Sequence, residues 1–101
     1  MSDSQVIADD AYVRRHPRAA FRELGGAEGG VLLQLDSGGY HGVNQMGCLI
    51  WELMDGGRTV AGLITAVRER VEAPPSEIDD EVRDFVAELV DRGLVEVASA
   101  R

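Results

Sequence analysis

The chain has 101 residues, of which 45% are apolar, so it can form one domain with a modest hydrophobic core. Its formal net charge is -8, which argues against nucleic acid or an anionic membrane as a partner. Its single cysteine excludes a disulfide framework and any site built from several cysteines. The N-terminus lacks the apolar core of a signal peptide, and no apolar run could span a bilayer. We therefore expect a soluble cytoplasmic protein.

The N-terminal half is predicted to be a small antiparallel sheet. Residues 1–18 are expected to form a flexible arm, and the folded domain is expected to cover residues 19–98. A first strand is predicted over residues 19–24, followed by the glycine-rich turn GGAEGG, whose residues reach positive φ freely. A second strand covers residues 31–36, the sequence SGG then favours a hairpin, and residues 40–43 form the returning strand.

The second strand, VLLQLD, alternates in polarity. Val31, Leu33 and Leu35 fall on one face, while Gln34 and Asp36 fall on the other. This pattern is typical of a strand in a sheet that has one apolar face.

The remainder of the chain is predicted to form three helices. Asn44, Thr59 and Ser76 are good N-caps for them. The first helix should end at Gly56–Gly57, the second at the sequence EAPP, and the third at Arg92–Gly93, before a tail that could return as an edge strand. The expected core stripe of the third helix is Ile78, Val82, Phe85 and Leu89.

A three-stranded antiparallel sheet followed by three helices indicates the α+β class, because the helices can cover only one face of the sheet. The same arrangement resembles a winged helix-turn-helix, in which the third helix would enter a DNA groove. Between Ser76 and Arg92, however, seven acidic residues and two arginines give a net charge of -5. Phosphate would repel such a helix, so DNA binding is disfavoured.

No group of residues in the sequence predicts catalysis. His16 and His41 are isolated, without a second ligand at i+3 or i+4, so no metal site is expected. Cys48 lies among apolar neighbours with no basic residue nearby, which favours an inert packed thiol. The basic sequence RRHPR is either a solvated strand end or a contact for an acidic partner, and no glycine-rich phosphate loop is present. We therefore expect a protein that is not an enzyme and needs no cofactor.

Two longer stretches carry a family resemblance. YHGVNQMGCLIWELMDGGRTVAGLITAV and FVAELVDRGLVEV, taken in order, resemble the PqqD-like family over about residues 19–97. The pattern of tyrosine, glycine, asparagine and Ile-Trp in the first stretch is most similar to that of the stand-alone leader-binding proteins of lasso peptide biosynthesis.

The resemblance implies a RiPP recognition element, which is a non-catalytic peptide chaperone. Such a protein binds the leader of a ribosomally made precursor peptide as an added strand and presents it to modifying enzymes. For a lasso pathway these partners would be a leader peptidase and an asparagine-synthetase-like cyclase, and the leader anchors would be a tyrosine and a proline. The alternatives are a chaperone for another RiPP or pyrroloquinoline quinone pathway, and an acidic winged-helix interaction or DNA-binding module.

The expected peptide site lies between the third strand and the third helix. One edge of the strand pairs with its hairpin partner, and the other edge could template a peptide. Gly42 leaves room for a close backbone, and the resemblance implies that His41 and Val43 face the helix. The valines of the helix could instead be peripheral core, and Tyr40 a scaffold aromatic. The candidate binding residues are Tyr40, His41, Gly42, Val43, Val82, Arg83, Val86 and Val90.

Overall fold

The computed structural model describes residues 7–24, 29–71 and 77–98. Its strands and helices form two three-stranded antiparallel sheets and three helices. This confirms the α+β class, although the sheet elements do not all precede the helices as predicted. The elements in chain order are β1 (Tyr12–Arg15), β2 (Ala19–Glu23), β3 (Gly30–Gln34), β4 (Tyr40–Val43), α1 (Gln45–Leu53), β5 (Asp55–Thr59), α2 (Val60–Arg70), α3 (Ile78–Asp91) and β6 (Val95–Ala98).

The predicted meander is present as sheet 1, in which the strands lie in the order β2, β3, β4. The alternation along β3 is as expected, but its buried face is the opposite one. Leu32 and Gln34 point inward, while Leu35 is half-exposed. Gln34 can be buried because its amide donates to the carbonyl of Gly93 at 3.0 Å and its Oε1 accepts from the Asp36 N–H.

Sheet 2 has the order β5, β1, β6 and corrects the prediction at both ends of the chain. Tyr12–Arg15, expected within the N-terminal arm, is its central strand, with the fully buried Val13 as its apolar anchor. The predicted C-terminal edge strand exists, but it pairs with β1 rather than with sheet 1. Asp55–Thr59, expected to be a helix stop, pairs with β1 as β5, and Gly56 in it has a φ of +92°. One buried valine among charged residues gives no periodic signal, so the sequence alone did not predict β1.

The caps of the first two helices are confirmed. Asn44 accepts from the Gly47 N–H at 2.8 Å, and Thr59 accepts from the Gly62 N–H at 3.1 Å. Ser76 lies outside the described residues, and α3 begins at Ile78. As predicted, α3 ends before Gly93, whose φ of +74° suits glycine.

The core lies between the two sheets and the three helices. It takes apolar side chains from α1, α2 and α3, together with Val13, Leu32 and Val95 of the strands. No helix within the described ranges is long and apolar enough to cross a membrane. This packing leaves β4 at the margin of sheet 1, beside α3.

Candidate functional site

β4 is an edge strand, and its free edge carries unpaired backbone groups. In the described parts of the chain, β3 is its only partner. The Gln34 N–H donates to the Gly39 carbonyl at 2.9 Å, and bonded pairs alternate with non-bonded pairs along an antiparallel ladder. His41 therefore bonds to β3, whereas the N–H and C=O groups of Tyr40 and Gly42 point to the free edge. These two residues offer an incoming strand two donors and two acceptors.

α3 forms the other side of a groove along β4. Nε2 of His41, on β4, lies 3.9 Å from Oε2 of Glu88, on α3. Two hollows meet at this contact. His41 lines the one between the β3–β4 hairpin and the end of α3, and Glu88 lines the other, which lies between α1 and α3. The hairpin hollow is lined by Gln34, Ser37, Gly39, Tyr40, His41, Arg92 and Leu94. The helix hollow is lined by Asn44, Met46, Gly47, Ile50, Glu81, Asp84, Phe85 and Glu88.

The helix hollow has an apolar floor and an acidic rim. Phe85 and Met46 are half-buried in it, and the carboxylates of α3 surround them. Its volume of about 330 Å³ is at the lower limit of small-molecule pockets, so it suits a peptide side chain better than a cofactor. A Cβ at Gly47 would lie 3.1 Å from the Phe85 ring, so glycine lets α1 approach α3 closely here.

Phe85, predicted in the core stripe of α3, packs against the core but is only half-buried. Its exposed part lines the helix hollow, which the sequence pattern did not predict. The sequence feature that could have indicated this contact is Gly47, because a glycine inside an apolar helix often marks the close approach of another element.

Val82 is fully buried in the core, and none of the four α3 positions expected in the peptide site lines either hollow. Val86 is fully buried in the core. Arg83 instead contacts the N-terminal segment, donating to both carboxylate oxygens of Asp9 at 3.0 and 2.9 Å. At about 100° per residue, Val90 shares the flank of Arg83, away from Phe85. The two hollows therefore lie on the flank of α3 that carries Phe85 and Glu88, and not on the flank of the expected groove wall.

The ion pair with Arg83 shifts both ionisation equilibria. The hydrogen bond from Arg83 holds the pKa of Asp9 below its ordinary value, and the same bond raises the pKa of the arginine. Both groups stay charged near neutral pH, so this contact is a structural strap.

The β4 residues are arranged as the strand alternation predicted. Tyr40 is 73% exposed on the face that points away from α3. His41 and Val43 share the face toward α3, and Val43 is buried. A Cβ at Gly42 would meet no atom within 4 Å, so the backbone of the free edge is unobstructed there.

His16 and Cys48 are the other reactive side chains that the sequence singled out, and both lie among described residues. No group of three potential metal ligands occurs in the described ranges. His16 accepts the Arg18 N–H at 2.9 Å through Nδ1 and lies 3.7 Å from Glu96. Desolvation raises the pKa of the Cys48 thiol, and the charges of Glu23 and Glu52 raise it further, which keeps the thiol protonated and weakly nucleophilic.

The sequence model of coenzyme PQQ synthesis protein D (PqqD) matches residues 29–95, about two-thirds of the chain. The chain belongs to the PqqD family. The match runs from β3 through α3 to the start of β6 and so includes both sides of the groove. No curated protein sequence matches the chain.

Two solved structures share the fold of this PqqD-family chain. One is lasso peptide synthetase B1 complexed with the leader peptide, 21% identical, with a TM-score of 0.66 over 84% of this chain and 98% of that one. The other is TbiB1 in complex with the TbiA(beta) leader peptide, 23% identical, with a TM-score of 0.66 over 82% of this chain and 94% of that one.

Proposed function

We propose that this protein binds the leader segment of a ribosomally synthesised precursor peptide, without catalysing a reaction itself. The leader adds to β4 as a further strand of sheet 1 and lies in the groove shared with α3. The observation that carries this proposal is the unpaired edge of β4 beside the two hollows, in a chain of the PqqD family. Two proteins of the same fold that have been solved with leader peptides support it.

Backbone pairing gives this complex its orientation but not its strength. The two donors and two acceptors of Tyr40 and Gly42 can form four hydrogen bonds, at roughly 0.5–1.5 kcal/mol net each. Ordering a flexible leader offsets most of this, at about 1–2 kcal/mol per residue. Side chains that enter the groove must therefore supply the remaining affinity and the specificity.

The helix hollow is the best place for an apolar leader anchor. Phe85 and Met46 offer apolar surface there that the fold leaves half-exposed. A side chain that covers them removes this surface from water, at roughly 25 cal/mol per Å². The hairpin hollow, between His41 and Arg92, can take a second leader side chain on the other side of the His41–Glu88 contact.

The pathway we propose is lasso peptide biosynthesis, in the cytoplasm. The partners there would be a leader peptidase and an asparagine-synthetase-like cyclase, to which the protein presents the bound leader. A chaperone role in another RiPP or pyrroloquinoline quinone pathway uses the same groove. An acidic winged-helix module that binds DNA is disfavoured, because α3 carries acidic residues along its groove side.

Calorimetric titration tests the proposed function. The precursor leader peptide should bind with one site per chain, while a scrambled peptide of the same composition should not bind. The isolated protein should leave the leader chemically unchanged and should not shift duplex DNA at moderate salt. Salt-sensitive retention of DNA together with no leader binding would favour the winged-helix alternative, and turnover of the leader would indicate an enzyme.

A further inference from the structure

The outer face of sheet 1, which points away from α3, is unusually apolar for a solvent-facing surface. Strand pairing places Ala20, Leu33 and Tyr40 in one row across this face. Tyr40 is 73% exposed, and Leu35, the residue after β3, is 50% exposed. Leu24, the residue after β2, is 52% exposed. These three are most of the large apolar residues that stay exposed in the described ranges, and all three lie on this face, with Leu35 and Tyr40 toward one end of it and Leu24 at the other. Such a concentration of exposed apolar side chains on one face marks an interaction surface.

The charge of this face is opposite to that of the molecule. The outward positions of β2, β3 and β4 include the exposed Arg22 and no carboxylate, although the chain as a whole carries -8. Within the described ranges Arg22 forms no ion pair, whereas the neighbouring Arg18 is held by Asp36 at 3.0 Å. A partner that covers this face would therefore match it with apolar side chains and a carboxylate opposite Arg22.

We infer that this outer face is the docking surface for the enzyme that processes the bound leader, an inference that rests on the proposed function. The face is continuous with the peptide site, because Tyr40 belongs to the strand whose free edge would receive the leader. An added strand extends sheet 1, and alternate leader side chains then join the outer face. One surface of the enzyme can then contact both the outer face and the bound leader. The enzyme would therefore bind the protein–leader complex more tightly than the protein without leader.

A second copy of the chain fits this face poorly. In a two-fold symmetric contact the same patch meets itself, and because its outward strand positions include no carboxylate, neither Arg22 would gain an acidic partner from that patch. Two chains that each carry -8 also repel one another over longer distances. The complementary surface is therefore apolar and acidic and belongs to a different protein.

The test uses the full chain, its leader peptide and the purified leader peptidase encoded in the same gene cluster. Arg22→Glu and Leu35→Asp change the outer face without touching the groove. Arg70→Glu on α2 and Val97→Asp on β6 are matched controls, since Arg70 is exposed and Val97 is 42% exposed, both away from sheet 1. Calorimetry measures leader affinity and peptidase affinity separately, melting curves verify folding, and sedimentation gives the oligomeric state.

We expect both outer-face variants to bind the leader within about twofold of the unchanged chain, and to lose at least tenfold in affinity for the peptidase. The two controls should lose neither affinity. Equal peptidase affinity in all four variants would overturn the docking surface while leaving leader recognition intact. Loss of a dimer in the two outer-face variants would overturn it in favour of self-association. An unchanged chain that binds no leader would instead contradict the proposed function, whatever the peptidase titration gives.

Discussion

At the residue scale, Gly42 leaves the backbone of β4 open at its free edge. Its N–H points to that edge, and a side chain there would meet no protein atom within 4 Å. In the proposed complex Gly42 would therefore contribute through its backbone and not through contacts inside the fold. Substitutions at Gly42 can remove its backbone N–H donor or keep it, so the effect of losing the donor can be measured separately from the effect of adding a side chain.

Gly42→Pro should weaken leader binding by at least about tenfold, because the ring removes an edge donor and crowds the approaching chain. Gly42→Ala keeps the donor and fits the open space, so it should bind almost as well as the unchanged chain. Calorimetric titration measures both, after circular dichroism has verified the fold. Full-strength binding by a folded Gly42→Pro protein would rule out pairing of the leader at this edge.

Phe85 and Val86 are neighbours on α3 in different environments, since Phe85 lines the helix hollow and Val86 is fully buried. Phe85→Ala removes the apolar floor of the helix hollow and should lower leader affinity by about tenfold, or 1.4 kcal/mol. Val90→Ala is its matched control, since Val90 is a half-buried apolar residue on the opposite flank of α3, and it should leave leader affinity unchanged. Equal losses in both variants would place the leader elsewhere.

Val86→Asp should lower the free energy of unfolding by roughly 3 kcal/mol or more, because it buries an unpaired carboxylate in the core. A melting curve or denaturant titration measures this loss, with Val86→Ile expected to stay close to the unchanged chain. An undisturbed melting temperature in Val86→Asp would mean that the position faces solvent.

At the element scale, the segment before β1 straps α2 and α3 together. The carbonyls of Asp9 and Ala11 accept from the N–H groups of Ala61 and Val60 at the start of α2, at 2.9 and 3.0 Å. Those N–H groups have no partner inside the helix, so the segment satisfies them. The Asp9 carboxylate meanwhile holds Arg83 of α3. The strap gives Asp9 and Ala11, which were expected to belong to a flexible arm, fixed partners on α2 and α3.

Asp9→Asn should lower Tm at neutral pH by at most about 4 °C, because the ion pair is exposed. The folded-state pKa of Asp9 is depressed, so its stabilisation is complete above the ordinary value of 3.8 and is lost as the pH falls through the folded value. The Tm difference between the two proteins should therefore shrink in acid. A difference that stays constant from pH 7 to pH 2 would exclude the Asp9 carboxylate as its source.

Turns and helix caps, which depend on a few neighbouring residues, could be predicted from the sequence. Strands that form only by pairing with distant parts of the chain could not. The hairpin around SGG and the caps Asn44 and Thr59 follow from local chemistry and are confirmed. β1 and β5 were missed because their pairing partners are far apart in the chain, and because DGGRT has low strand propensity. The flank of α3 that borders the groove depends on how the helix rotates against the sheets, which no local pattern encodes.

At the scale of the whole molecule, the two sheets differ in what they contact. Sheet 2 joins the N-terminal segment, β5 and β6, and it holds the two ends of the described chain together. Sheet 1 leaves one edge of β4 unpaired beside α3 in the described chain. Its two faces differ, since one borders the groove and the other is apolar and exposed. Recognition of a peptide at the edge and docking of an enzyme on the outer face can therefore occur together.

Amide hydrogen exchange, followed by NMR with and without saturating leader peptide, tests the central claim most directly. The N–H groups of Tyr40 and Gly42 face the free edge, so the leader should slow their exchange by at least about tenfold. The N–H groups of His41 and Val43 already bond to β3 and should change less. Unchanged exchange at Tyr40 and Gly42, with new protection on β5 or β6 instead, would contradict strand addition at β4.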